Sequence, residues 1–160
     1  MVDPLRRFLR NARFVLRTRD EASTFAGTLA ALTMSEPITG ELALAELLIN
    51  AVEHGSYGIG RTLKAHLLRA GLLEDELRCR ATSAPYRDRV VEVDVWWERD
   101  RHAITISDQG DGFDWRDAMA RLDDLSCEPN GRGLLLVRSL ACADIDFNAR
   151  GNAVTVRPRT

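Results

Sequence analysis

The sequence predicts an α+β protein: a two-layer sandwich in which helices pack on one face of a mixed, mainly antiparallel sheet. Its 160 residues suit one domain, expected to span residues 1–160. Helical and strand-like segments are partly segregated along the chain, which favours helices on one side of a sheet. Two segments of alternating apolar residues, 90–97 and 103–107, flank a short polar turn at 98–101 and predict an antiparallel hairpin.

The first half of the chain predicts one strand followed by helices. The segment RFVLRT at 13–18 alternates like a strand, and Asp20 is placed to cap a helix that runs to about Leu32. A second, strongly apolar helix is predicted over 38–54, with Gly55 placed to end it.

Residues 56–89 are expected to form a helical insertion of two short helices, the first ending at Gly71. Within it, Lys64 and Arg69 are expected on a solvated helix face, with contact to a phosphate as the less favoured alternative. Of the adjacent tryptophans Trp96 and Trp97, one is expected in the core and the other at the surface or in an interface.

The second half predicts a return to the sheet. The expected elements are a glycine-rich turn at 109–113, a helix at 114–124, a loop at 125–131, a helix at 134–143, and strands at 145–148 and 153–156.

Composition excludes several functional classes. Hydrophobic residues make up 45% and charged residues 29% of the chain, as in globular proteins. The net charge of −2 gives no basic field, so no direct nucleic-acid partner is expected. The cysteines Cys79, Cys127 and Cys142 lack metal-ligand spacing and are expected to be reduced thiols. No apolar run has the length of a membrane span, and the basic N-terminal extension 1–12 lacks a signal-peptide pattern, so a cytoplasmic location is expected.

The first candidate cluster lies on the second predicted helix. Glu46, Asn50 and His54 are spaced four residues apart and therefore share one face of a helix that is otherwise apolar. Buried polar groups need partners, which a metal ion and a water would supply. The Asn50 amide oxygen suits magnesium, and Glu46 could accept a proton from a hydroxyl group or water. The alternative is an exposed polar edge on an amphipathic helix.

The second cluster, DQGDGF at 108–113, directly follows a predicted strand. Asp108 is expected at the end of the sheet, where its carboxylate could accept a hydrogen bond from an exocyclic amine such as that of adenine. Gly110 and Gly112 would let the backbone turn sharply and approach a flat ligand, with Phe113 beside them. A calcium loop or a plain acidic turn is the alternative, and the full calcium-loop pattern is absent.

The third cluster, Asn130 and Gly131-Arg132-Gly133-Leu134, opens a predicted apolar helix. Glycines at a helix start expose backbone N–H groups and the positive end of the helix dipole, which together suit a phosphate. A flexible loop before a helix is the alternative, because this short glycine pattern is common.

In this order, the three clusters resemble the N-box and the two glycine boxes of the GHKL superfamily of ATP-binding domains, over residues 13–157. The phrase ELLINAVEHG and the segment that ends in Thr155 are most similar to the RsbW and SpoIIAB anti-sigma serine kinases. The resemblance implies ATP and Mg²⁺ as cofactors, with Glu46 as general base and Asn50 holding magnesium.

By the same resemblance, ATP binding would involve His54, Asp108, Gly110, Gly112, Phe113, Gly131, Arg132, Gly133, Leu134 and Thr155. Asp108 would bind adenine, the backbone of the second glycine box would bind the phosphates, and Thr155 would place a hydroxyl near the base.

The resemblance also implies partners. The expected activity is transfer of a phosphoryl group from ATP to a serine of a STAS-domain anti-sigma antagonist, with a sigma factor as the other partner. A PP2C-type phosphatase in the same pathway is a further expectation, because the insertion resembles that of a proteobacterial subgroup that works with such phosphatases. A homodimer is also expected, although the insertion leaves the mode of dimerisation open.

Three other functions remain open at this point. The first is a nucleotide-binding anti-sigma or scaffold module with little kinase activity. The second is the ATP-binding domain of a sensor histidine kinase, which needs a phospho-acceptor histidine in a dimerisation helix. The third is a self-contained ATPase of the gyrase kind, which needs further domains.

Overall fold

The structure, a computed structural model, describes residues 8, 10–98, 101–123, 137 and 142–158. Its elements, in chain order, are β1 (Asn11–Leu16), α1 (Arg19–Thr33), α2 (Pro37–Asn50), α3 (Arg61–Ala70), α4 (Leu73–Thr82), β2 (Val91–Glu98), β3 (Arg101–Ser107), α5 (Trp115–Asp123), β4 (Cys142–Phe147) and β5 (Ala153–Pro158). A π-helical segment, Ala51–Ser56, continues α2 without a break. No helix among the described residues has both the length and the apolar character needed to cross a bilayer.

The strands form one sheet in the order β1-β2-β3-β5-β4. Each of the four pairings between the described strands is antiparallel, and β2 and β3 form the predicted hairpin with Glu98 opposite Arg101. The predicted α+β two-layer class is confirmed. The described sheet, however, has none of the parallel pairing that a mixed sheet would include.

The core lies between one face of the sheet and the helices α1 and α2. Alternate residues of β2 point inward, because successive side chains of a strand face opposite sides. Val91, Val93 and Val95 are fully buried there, and Trp97 follows them. Trp96 lies on the outer face and is 51% exposed, so the expected division of the two tryptophans is confirmed.

The cap of α1 differs from the prediction. Thr18, not Asp20, is the N-cap residue: its hydroxyl accepts a hydrogen bond from the Glu21 N–H at 3.2 Å. The Glu21 carboxylate in turn accepts from the Thr18 N–H at 3.1 Å. This reciprocal pair satisfies two donors that the helix leaves free, and it places Asp20 within the first turn.

The predicted end of α2 at Gly55 is also wrong. The backbone passes through Gly55 in the π-helical segment, where the Tyr57 N–H donates to the Val52 carbonyl at 2.8 Å. Gly71 does end α3 as predicted, with a left-handed φ of 70°. Cys142 already belongs to β4, which shortens the helix predicted over 134–143; most of that helix lies outside the described residues.

Candidate functional site

The end of the α2 helix lies directly against the start of the glycine-rich turn. A Cβ atom on Gly55 would lie 2.1 Å from Cγ of Asp108, a distance that no side chain could occupy. Gly55 therefore serves a close approach between two segments rather than the end of a helix. The structure brings the first two sequence clusters together at this contact.

Asp108 is fixed by hydrogen bonds from its own turn and from the loop before β5. Its N–H donates to the Asn152 carbonyl at 2.9 Å, and Asn152 Nδ2 donates back to the Asp108 carbonyl at 3.1 Å. Its Oδ1 accepts from the Gly110 N–H at 2.8 Å. Within the described part of the chain Oδ2 has no hydrogen-bond donor, so this oxygen can accept one from a ligand.

Burial raises the pKa of Asp108 from its usual value to about 6. The Gly110 N–H opposes this rise in pKa, and so do the positive charges of Arg150 and Arg89. The carboxylate is consequently ionised near neutral pH although it is partly removed from water. Such a group is a strong and selective hydrogen-bond acceptor.

Glu46 and Asn50 lie one helical turn apart on α2, and both are partly buried. Neither side chain makes a hydrogen bond or an ion pair with any other described residue. They project away from the stripe of Leu44 and Leu48, which packs into the core. Because partly buried carboxylate and amide groups need polar partners, this pair is available to a ligand.

His54 is placed differently from Glu46 and Asn50. Its Nδ1 donates to the Ile59 carbonyl, which leaves Nε2 as an acceptor in the neutral ring. Desolvation lowers the pKa of His54, and the nearby positive charges of Lys64 and Arg61 act in the same direction. The bond to Ile59 and the charge of Glu53 oppose this lowering of the pKa. The hydrogen bond thus ties His54 to the segment that precedes α3, although the spacing of four predicted a face shared with Glu46 and Asn50.

Gly110 and Gly112 make close contacts with other parts of the chain. A Cβ atom on Gly110 would lie 2.4 Å from the Gly55 carbonyl oxygen. Gly112 has a φ of 79°, and a Cβ atom there would lie 2.0 Å from the Arg150 carbonyl oxygen. The space expected to hold a flat ligand is filled at these two positions by backbone. Phe113 packs edge-on against Phe147, with 5.6 Å between ring centroids.

Thr155 is not brought together with Glu46. Its neighbours Val154 and Val156 are buried on the helix side of the sheet, so Thr155 points to the opposite side. There its hydroxyl lies 2.9 Å from the hydroxyl of Thr105, its partner across the strands. Gly131, Arg132, Gly133 and Leu134, the predicted phosphate-binding residues, lie outside the described residues.

The contacts that the helical insertion makes with this site were not predicted from the sequence. Arg89 donates to the Ser56 carbonyl at 3.2 Å, and Arg80 donates to the Tyr57 carbonyl. Both carbonyls lie at the end of the α2 helix, where the dipole favours positive charge. Asn152 was missed as well. These pairings span at least 23 residues of sequence, so no local pattern could have revealed them.

A fully buried carboxylate connects the insertion to the α2 helix. Glu53 is 0% exposed, and its two oxygens lie 3.1 Å from Arg19 Nε of α1 and 2.5 Å from Lys64 Nζ of α3. Arg19 also pairs with Glu74 of α4. Lys64 therefore does not lie on a freely solvated face, and its ammonium group balances a charge inside the protein.

Replacing Lys64 with methionine is expected to destabilise the protein. The aliphatic length is kept, but Glu53 loses one of its two cations while it stays buried. Because Glu53 keeps Arg19 as a partner, the loss of one charged hydrogen bond is expected to cost about 1.5–3 kcal/mol in the free energy of unfolding. Urea denaturation should show this loss, whereas Arg69→Met on the exposed side of α3 should stay within about 0.5 kcal/mol. Equal stability of the two variants would contradict the assignment.

The sequence profile of one known family matches this chain. The histidine kinase-like ATPase domain matches residues 9–157 of 160, which includes every site residue described above. No curated protein matches the chain significantly. The chain therefore belongs to the histidine kinase-like ATPase family, the GHKL type that the sequence clusters resemble. Membership of this family supports ATP as a ligand of the chain.

Proposed function

We propose that the protein is an ATP-dependent serine protein kinase and anti-sigma factor of a partner-switching pathway. Its substrate is a STAS-domain antagonist, and a sigma factor is the partner that it releases or holds. The observation that supports this proposal is the pair Glu46 and Asn50: both are partly buried, neither has a partner among the described residues, and the helix that carries them ends against Asp108.

Each residue has a distinct role in the proposed reaction. Asp108 Oδ2 accepts a hydrogen bond from the adenine amine, which the ionised carboxylate favours. Glu46 orients the serine hydroxyl and accepts its proton as the oxygen attacks the γ-phosphorus. The bond from that phosphorus to the bridging oxygen breaks, and ADP leaves. The backbone of Gly131–Leu134 is proposed to hold the phosphates.

Magnesium fits the donor set. The ion usually takes one or two protein oxygens and completes its octahedron with phosphate oxygens and waters. Asn50 supplies an uncharged amide oxygen without another partner in the described part of the chain. The described residues contain no cluster of three or more His, Cys, Asp or Glu side chains that could hold a metal. When bound, the ion would neutralise phosphate charge.

A direct assay tests this function. The protein is incubated with magnesium and γ-labelled ATP in the presence of a STAS-domain protein from the same organism, and label on serine is measured by mass spectrometry. The proposal expects stoichiometric phosphorylation of one serine. Tight complex formation without labelled serine would instead identify the nucleotide-binding scaffold alternative.

Replacing Asn50 with alanine is expected to weaken ATP binding only when magnesium is present. The variant loses the amide oxygen but keeps Asp108, so adenine contacts persist. Calorimetry should show a loss of about tenfold in affinity with magnesium, and nearly equal affinities of variant and parent in EDTA. An equal loss in both conditions would remove Asn50 from the metal-binding role.

A further inference from the structure

An apolar ridge on α2 leads to Glu46 from its N-terminal side. Ile38 is 88% exposed and Leu42 is 48% exposed, and these residues precede Glu46 by two turns and one turn of the helix. Residues four apart on a helix lie above one another with a drift of about 40° per step. Ile38, Leu42 and Glu46 thus form a continuous line along the side of α2 that faces away from the core.

Under the proposed function, the position of Glu46 relative to Asp108 gives the direction in which the nucleotide lies along α2. Asp108, at the adenine end, contacts Gly55, whereas Glu46 lies nine residues earlier on the helix. Because the helix is π-helical from Ala51, the rise is at most about 1.5 Å per residue, and the separation is roughly 13 Å or less, of the order of the length of a nucleoside triphosphate. The γ-phosphate then lies near Glu46. Leu42 and Ile38 lie on the side of Glu46 away from Asp108, and both are exposed, so an acceptor protein can approach the γ-phosphate over them.

The charged residues of α2 and its N-cap are all acidic. Glu36 and Glu41 are both exposed, and neither forms an ion pair with a described residue. The segment PITGELALAELLIN of α2 contains two glutamates and no lysine or arginine. A complementary surface would place an apolar side chain on Ile38 and Leu42, with basic residues beside it.

We infer that the phosphoacceptor protein docks on the ridge formed by Ile38 and Leu42. The acceptor protein would contact it through an apolar and basic surface that lies next to the acceptor serine. This inference rests on the proposed kinase function and names the surface that selects the protein substrate. The exposed side chains of Ile38 and Leu42 would lose their contact with water on binding, which favours association.

The test is the double variant Ile38→Gln, Leu42→Gln, compared with Leu68→Gln, Leu72→Gln. Each pair exposes two apolar side chains four residues apart, but Leu68 and Leu72 lie on the insertion, at 57% and 50% exposure. Binding of the STAS-domain protein is measured by calorimetry with a non-hydrolysable ATP analogue. Phosphoryl transfer and ATP affinity are measured in parallel.

We expect the ridge variant to bind the acceptor at least tenfold more weakly and to raise its KM, with unchanged ATP affinity. The insertion variant should match the parent. If the parent phosphorylates the acceptor and the ridge variant does so with the same KM, the docking inference fails and the kinase proposal survives. If the acceptor binds through the ridge without phosphorylation, the docking inference survives alone. Absence of acceptor binding by the parent overturns both.

Discussion

Replacement of Glu46 by glutamine is expected to lower kcat for serine phosphorylation by about 100- to 10,000-fold, the range of general-base catalysis. Glutamine keeps the shape of the side chain but cannot accept the serine proton. ATP affinity should change by less than about threefold, because Glu46 acts on the attacking hydroxyl and not on the adenine. The variant therefore separates binding from chemistry.

The measurement is a single-turnover assay with the STAS-domain acceptor, together with a calorimetric titration of the ATP analogue. Glu92→Gln is a suitable control, since Glu92 lies on the outer face of the sheet beside Arg13. Its rate should equal that of the parent. Unchanged turnover in Glu46→Gln would show that another group accepts the proton.

Replacement of Asp108 by asparagine is expected to weaken ATP binding by about 10- to 100-fold. The variant exchanges a charge-assisted hydrogen bond to the adenine amine for a neutral one and can turn a donor towards the ligand. Asparagine has nearly the same size, so the contact with Gly55 is retained. Calorimetry with the ATP analogue measures the loss, and undiminished affinity would contradict the adenine-binding role.

The same substitution should stabilise the free protein above pH 6. The folded-state pKa of Asp108, about 6, lies above the ordinary value of 3.8, so the folded state binds this proton more tightly than the unfolded state. The free energy of unfolding therefore falls as the pH rises from about 3.8 to 6, and this cost persists at higher pH. Asparagine has no such cost. The Tm of Asp108→Asn should exceed that of the parent at pH 8, and the two Tm values should be equal below pH 3.8.

The affinity for nucleotide should also depend on pH through Asp108. Protonated Asp108 cannot accept a hydrogen bond with full negative charge, so only the ionised fraction binds adenine well. With a pKa of about 6, the parent should bind the ATP analogue about tenfold more weakly at pH 5 than at pH 8. Asp108→Asn should lose this tenfold change and keep only the smaller dependence that comes from titration of the ligand's terminal phosphate.

The sequence predicted the elements with clear periodicity. The alternation in β2 and β3, the apolar stripe of α2 and the left-handed end of α3 at Gly71 follow from local preferences, and the structure agrees with them. Gly55 was misassigned because its small size serves a contact with Asp108, 53 residues away in sequence. A sequence pattern does not distinguish a glycine that ends a helix from one that allows a close approach.

The candidate site was predictable only in part, for the same reason. Glu46, Asn50 and Asp108 stand out because polar groups interrupt apolar segments at helical spacing or at a strand end. The face of the sheet on which Thr155 lies depends on the register of β5 with β3. A shift of one residue in that register would move every side chain of β5 to the opposite face. The contacts of Arg89, Lys64 and Asn152 with the site depend on tertiary packing.

The central claim is that the α2 helix and Asp108 form one site for an adenine nucleotide. The most direct test is a calorimetric titration with magnesium and non-hydrolysable analogues of ATP and of inosine triphosphate, which carries a carbonyl where adenine carries its amine. We predict saturable binding of one ATP analogue per chain, and at least tenfold weaker binding of the inosine analogue. No detectable ATP uptake, or equal affinity for both analogues, would contradict the account.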